Sequence, residues 1–135
     1  MNNIFKQLSD YGFHDTIISS IEGNGLILKL NFDNGVYLLS QLGKETFLSK
    51  PIQMILKIRS DFTSFENAFE IRKFGRKVKY LDYTTFLKYF KEKGFGISMV
   101  YYNNFNNSIL FDGGIEKKNI IFTVEGITQV TICEV

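Results

Sequence analysis

A chain of 135 residues, 44% hydrophobic and 22% charged, is long enough for one core and too apolar for a disordered or linker-rich polymer. Its single cysteine, Cys133, excludes an intrachain disulfide, and a formal net charge of +2 is small for a polyanion-coating protein. The opening MNNIFKQLSDYGF lacks a basic region followed by a long apolar run, and no stretch of about 18 apolar residues occurs, so the expectation is one cytoplasmic domain, 1–135, with no membrane partner.

Ile4, Phe5 and Leu8 recur at helical spacing and predict a short N-terminal helix over Asn3 to Asp10, ended by Gly12. TIISSIE, LILKLNFD and VYLLSQL are β-rich runs separated by Gly23-Asn24-Gly25 and Asn34-Gly35. Asn-Gly between apolar runs is a hairpin signal in which both central residues take positive φ, so a three-stranded antiparallel meander is expected. Leu26, Leu28, Leu30 and Phe32 form its buried face. Leu42 to Lys50 reads as a polar connection with one helical turn. PIQMILKIRSD reads as a strand that buries Ile52, Met54, Leu56 and Ile58, with Pro51 harmless at its start.

Asp61 to Ala68 reads as a loop, and FEIRKF and RKVKYLD as a hairpin around Gly75. In YTTFLKYFKEKG, Tyr83, Phe86, Leu87 and Phe90 form one helical stripe, with Asp82 as N-cap and Gly94 as a left-handed C-terminal cap. The last third is β again: GISMVYY, a turn NNFNN, SILFD, a loop GGIEKK, NIIFTVE, a turn at Gly126 and TQVTICE. Strands run together instead of alternating with helices. The expected fold is therefore α+β, a mainly antiparallel sheet of roughly nine or ten strands, strongly bent or in two layers, with an N-terminal and a mid-chain helix.

Reactive groups are scarce. Nucleophilic catalysis of the Ser-His-Asp or Cys-His kind has only His14 to use, and its neighbour Asp15 in an extended chain points to the opposite face. The alternative use of His14 and Asp15 is structural, in hydrogen bonds that fix the entry to the first strand, with Thr16 or Ser19 as partners. One histidine and one cysteine are too few for a structural zinc, no calcium loop or P-loop pattern occurs, and no cofactor is implied. Carboxylate pairs for glycosidase chemistry are neither marked nor ruled out by spacing.

The one local anomaly is basic. Arg72, Lys73, Arg76, Lys77, Lys79, Lys88, Lys91 and Lys93 face only Asp82 and Glu92 between residues 72 and 93. Arg72, Lys73, Arg76, Lys77, Lys79 and Tyr80 form the candidate binding patch. Two partners suit it: an acidic protein surface, or a single-stranded nucleic acid taken by cations and interleaved aromatics. Alternation puts Lys77 and Lys79 on one face and Val78 and Tyr80 on the other, as in a half-buried hairpin with a solvated lysine face. YYNNFNN, Tyr101 to Asn107, reads either as a recognition tip or as a strand end whose asparagines suit a turn.

FHDTIISSIEGNGLILKLNF resembles the opening of many small bacterial proteins: an HD dipeptide, Ser or Thr, apolar alternation, a turn and a second strand. VYYNNFNNSILFDGGI resembles a later segment of the same proteins, a strand ending in aromatics followed by a strand and glycine. Some of those proteins look like immunity proteins that neutralise secreted bacterial toxins. The resemblance covers about a third of the chain and contains no catalytic signature. It implies a compact α+β domain without enzymatic activity and points toward an immunity role. The chain is accordingly expected to be a non-enzymatic protein-binding module that acts by occluding its partner.

Overall fold

The computed structural model describes residues 4–39, 45–91 and 93–135. In chain order its strands are β1 (Tyr11–Gly12), β2 (Ile17–Ile18), β3 (Ser20–Asn24), β4 (Ile27–Phe32), β5 (Tyr37–Leu39), β6 (Glu45–Leu48) and β7 (Ile52–Ile58). They continue with β8 (Phe69–Phe74), β9 (Val78–Leu81), helix α1 (Tyr83–Phe90), β10 (Phe95–Asn103), β11 (Ser108–Ile115), β12 (Lys118–Val124) and β13 (Ile127–Glu134). Among the described residues three sheets result, ordered β1-β5-β6, β2-β10-β11-β12-β8-β9 and β13-β7-β4-β3, and every pairing is antiparallel. The class is α+β, with more strands and one sheet more than the sequence predicts. Among the described residues no helix is long and apolar enough to cross a membrane.

The predicted N-terminal helix is replaced by a 3-10 turn, Lys6–Asp10, that buries only Leu8. No side chain caps its N-terminus, whereas Asp82 caps α1, which is no longer than the predicted helix, and Tyr11 is already extended to pair with Leu38. The predicted meander stops at two strands. β3 and β4 form a hairpin closed by Gly25-Leu26, of which only Gly25 has positive φ (+62°). The Asn34-Gly35 turn instead sends the chain away: Gly35 N–H donates to Phe32 O (3.0 Å), and β5 pairs with β1 and β6. Ser49 holds that departure, its Oγ accepting from Val36 N–H (3.0 Å) and its own N–H donating to Val36 O (2.7 Å). β4 then takes β7 as its other neighbour. The predicted polar connection at Leu42 to Lys50 holds strand β6 in its described part; residues 42–44 lie outside the described residues, as do Ser40 and Gln41 of the third predicted strand.

TIISSIE is two strands, because the chain changes sheet at Ser19. Ile17 and Ile18 pair with β10, whereas Ser20–Asn24 pair with β4. A second change occurs at Glu125-Gly126, between β12 and β13. Alternation then fills one core from both larger sheets. Leu28, Leu30, Phe32, Ile52, Met54, Leu56 and Ile58 are buried from one, Ile109, Phe111, Ile120, Phe122 and Val124 from the other, in a single apolar cluster.

Helix α1 is as its sequence pattern predicts. Asp82 caps it, its Oδ1 accepting from Thr85 N–H at 2.7 Å, and Phe86 and Phe90 are buried. The bond to Thr85 N–H, first among the causes, lowers the Asp82 pKa. Gly94 is not a left-handed cap; its φ is not positive. Glycine is needed there for space, since a Cβ would strike Ile18 O of β2.

At the other end of the helix Tyr83 packs edge-on to Phe65 (5.2 Å) and tilted on Phe69 (5.1 Å). Burial, with a smaller contribution from Glu66, pushes its phenol up to about 12. In the unfolded chain a tyrosine ionises near pH ~10. The folded state therefore holds the proton longer, and this contribution is constant below pH ~10 and lost as pH rises through about 12. Tyr83→Phe should flatten the alkaline fall in stability, measured as the urea midpoint at pH ~8 and pH ~11. A residual fall should persist, because burial also holds Tyr102 at about 12.

Candidate functional site

The basic hairpin forms where predicted, but its sidedness differs from the prediction. Register runs Ile71↔Leu81, Arg72↔Tyr80, Lys73↔Lys79 and Phe74↔Val78. Extending it across the sheet gives one row Ile97–Gly113–Ile120–Lys73–Lys79 and another Met99–Asp112–Ile121–Arg72–Tyr80. Directly opposite residues share a face. The lysines therefore continue the face that carries buried Ile97 and Ile120, and Val78 and Tyr80 lie on the outer face. Both faces of the hairpin reach solvent because it projects past the core: Val78 is 52% and Tyr80 72% exposed, and Lys79 between them is exposed too. The predicted solvated lysine face over a half-buried apolar one is thus corrected.

The candidate residues separate into two groups. Lys73, Arg76, Lys77 and Lys79, with Gly75, line a recess of about 380 Å³. Among the described residues no carboxylate lies within ion-pair distance of these four cations. Lys73 and Lys79 sit directly opposite each other, an arrangement that costs stability between like charges. Arg72 stands apart on the outer face, where it is already partnered. Its Nε is 3.5 Å from Glu70 Oε1, too poorly aligned for a hydrogen bond, and its guanidinium lies 5.8 Å from the Phe74 ring centroid. Tyr80 faces Arg72, not the lysines, so a single nucleic-acid strand finds the cations and the stacking ring on opposite sides of β9.

His14 and Asp15 are exposed at a tight turn, not in an extended strand. Thr16 N–H donates to Phe13 O (3.2 Å), Thr16 Oγ1 donates to the same carbonyl, and Asp15 takes positive φ (+58°). Asp15 N–H donates to Ile97 O and Ile97 N–H to Thr16 O, both at 2.8 Å, so this turn docks the entry strand on β10. The two side chains diverge. His14 stacks on Tyr37 (5.8 Å) and borders a recess with Tyr11, Met99 and Tyr102. Asp15 borders another, with Ser98, Glu116 and Asn119. Ser19 serves the neighbouring strand, its Oγ accepting from Asp33 N–H at 3.0 Å.

The sequence reading understates the other hairpin of this sheet, β10–β11. Its asparagines make the turn: Asn103 Oδ1 accepts from Phe105 N–H (2.9 Å), Asn106 Oδ1 accepts from Ser108 Oγ (2.7 Å), and Asn107 has positive φ. The turn holds Phe105 99% exposed. An aromatic residue centred between two Asn pairs was the available signal. The predicted GGIEKK loop is mostly strand, since β11 runs to Ile115 and only Glu116-Lys117 turn into β12.

Compared with known proteins, the chain matches no family model, no curated protein and no solved structure.

Proposed function

We propose that the chain is a non-enzymatic protein-binding module that acts by occluding its partner, in the manner of a bacterial toxin-immunity protein. The observation that carries this reading is the cluster Lys73, Arg76, Lys77 and Lys79, which has no carboxylate partner among the described residues and lines a recess at the sheet edge. Cations set side by side and left unneutralised repel one another in the free chain and gain most from an acidic surface, chiefly in encounter rate and selectivity.

The test uses the protein encoded beside this gene. A secreted toxin there should form a complex with the chain and lose toxicity on co-expression. Replacing Arg76, Lys77 and Lys79 by Glu should weaken that complex about ten-fold or more without lowering the melting temperature, since all three side chains are exposed. A neighbouring toxin that ignores the chain, or a complex indifferent to the three reversals, overturns the reading. Salt-sensitive capture of an oligothymidine by the unaltered protein, lost on the same reversals, replaces it with single-strand nucleic-acid binding.

A further inference from the structure

We propose that β9 is a docking edge, to which an extended acidic segment of a partner adds as a seventh strand of the six-stranded sheet. The inference rests on the protein-binding reading above and gives it a mode and a partner chemistry. β9 ends the sheet order and, among the described residues, has only β8 beside it. An edge strand presents alternate backbone N–H and C=O groups outward, and these are a template for another strand. The pairing of β9 with β8 has no bulge, β9 contains no proline, and Val78, Lys79 and Tyr80 are all exposed. The opposite edge, β2, is only two residues long. Of the two edges of the four-stranded sheet, β3 shows Ser20, Glu22, Gly23 and Asn24, with no apolar or cationic side chain to recognise a partner. The other, β13, is already engaged at Ile132, whose N–H donates to Gln7 Oε1 (3.4 Å) and whose C=O accepts from Gln7 Nε2 (3.3 Å).

The two faces of β9 specify the incoming strand. On one side Lys79, with Lys73 opposite and Lys77 two residues before, calls for carboxylates. On the other Val78 and Tyr80 call for apolar or aromatic side chains. Cross-strand neighbours share a face and repeat every second residue, so the complementary segment alternates acidic with apolar residues. Edge lysines also exclude the wrong partners. A second copy of β9 pairing in register on the same face brings Lys79 against Lys79, and a wholly apolar strand leaves three cations unpaired. The lysines therefore guard the edge against self-association and select for an acidic partner.

The full-length chain is titrated with a fluorescein-labelled heptapeptide, Glu-Val-Glu-Tyr-Glu-Val-Glu, by fluorescence anisotropy. Three comparison peptides use the same residues: one carries the glutamates in a block, and two keep the alternating order but are N-methylated at alternate backbone nitrogens, one in each register. The alternating peptide should bind about ten-fold or more tightly than the block peptide and than the one methylated form whose methyl groups face β9, whereas the form methylated toward solvent should bind like the parent. It should also slow amide exchange at residues 78–81. Lys77→Glu with Lys79→Glu should abolish its binding and transfer preference to the peptide with lysine in place of glutamate. Equal binding of both methylated forms overturns strand addition while leaving the basic-patch reading intact. No binding of the alternating peptide by a chain that still captures its toxin does the same. Binding indifferent to the two lysine reversals overturns both.

Discussion

Phe122→Ala should cost about 3–5 kcal/mol and lower the melting temperature by about 10–20 °C. Phe122 is fully buried on β12 and is the ring most others meet. Phe111 stacks on it at 4.7 Å, Phe95 meets it edge-on at 5.0 Å, Phe86 of α1 at 5.1 Å and Phe69 at 5.9 Å. Truncation removes the transfer energy of the ring and opens a cavity that backbone from three strands and a helix cannot collapse to fill. Phe105→Ala is the control. That ring touches almost nothing, so its loss should change stability by less than about 0.5 kcal/mol. Chemical denaturation of both variants separates them. A Phe122→Ala chain that melts within a few degrees of the unaltered protein would mean that α1 is not held on the sheet through this ring.

How far the fold can be read from the residues depends on whether the information is local. The alternation of Ile52, Met54, Leu56 and Ile58 and the stripe of Phe86 and Phe90 under an Asp82 cap are local, and both elements stand where predicted. The departure of β5 at Gly35 is not local, because Asn34-Gly35 is compatible with a hairpin until Ser49, fourteen positions along, captures Val36. The switch between sheets at Ser19 leaves no mark in TIISSIE, whose β-propensity continues across it. The same limit applies to the site. Alternation separates Lys77 and Lys79 from Val78 and Tyr80, but which side is the inside follows from pairing to Ile120 and Ile121 on β12. That register also separates Arg72 from the lysines next to it in sequence.

Gly113→Ala should destabilise the chain by about 3 kcal/mol or more, whereas Gly96→Ala, one strand away, should be neutral or slightly stabilising. Both glycines lie in strands and neither needs positive φ, so the difference is one of space. A Cβ on Gly113 would collide with Gly96 O, a backbone atom that cannot rotate aside, and would press on Phe95 at 3.0 Å. A Cβ on Gly96 meets nothing nearer than Gly114 O at 3.8 Å, an ordinary contact. Gly113 stands in the row that runs through Ile120 to Lys73 and Lys79, so forcing β10 from β11 disturbs the register from which the basic edge is built. Urea midpoints read the stability difference. If Gly113→Ala and Gly96→Ala unfold together, the close approach of β10 to β11 is wrong, and with it the placement of the lysine row on the core-facing side of the sheet.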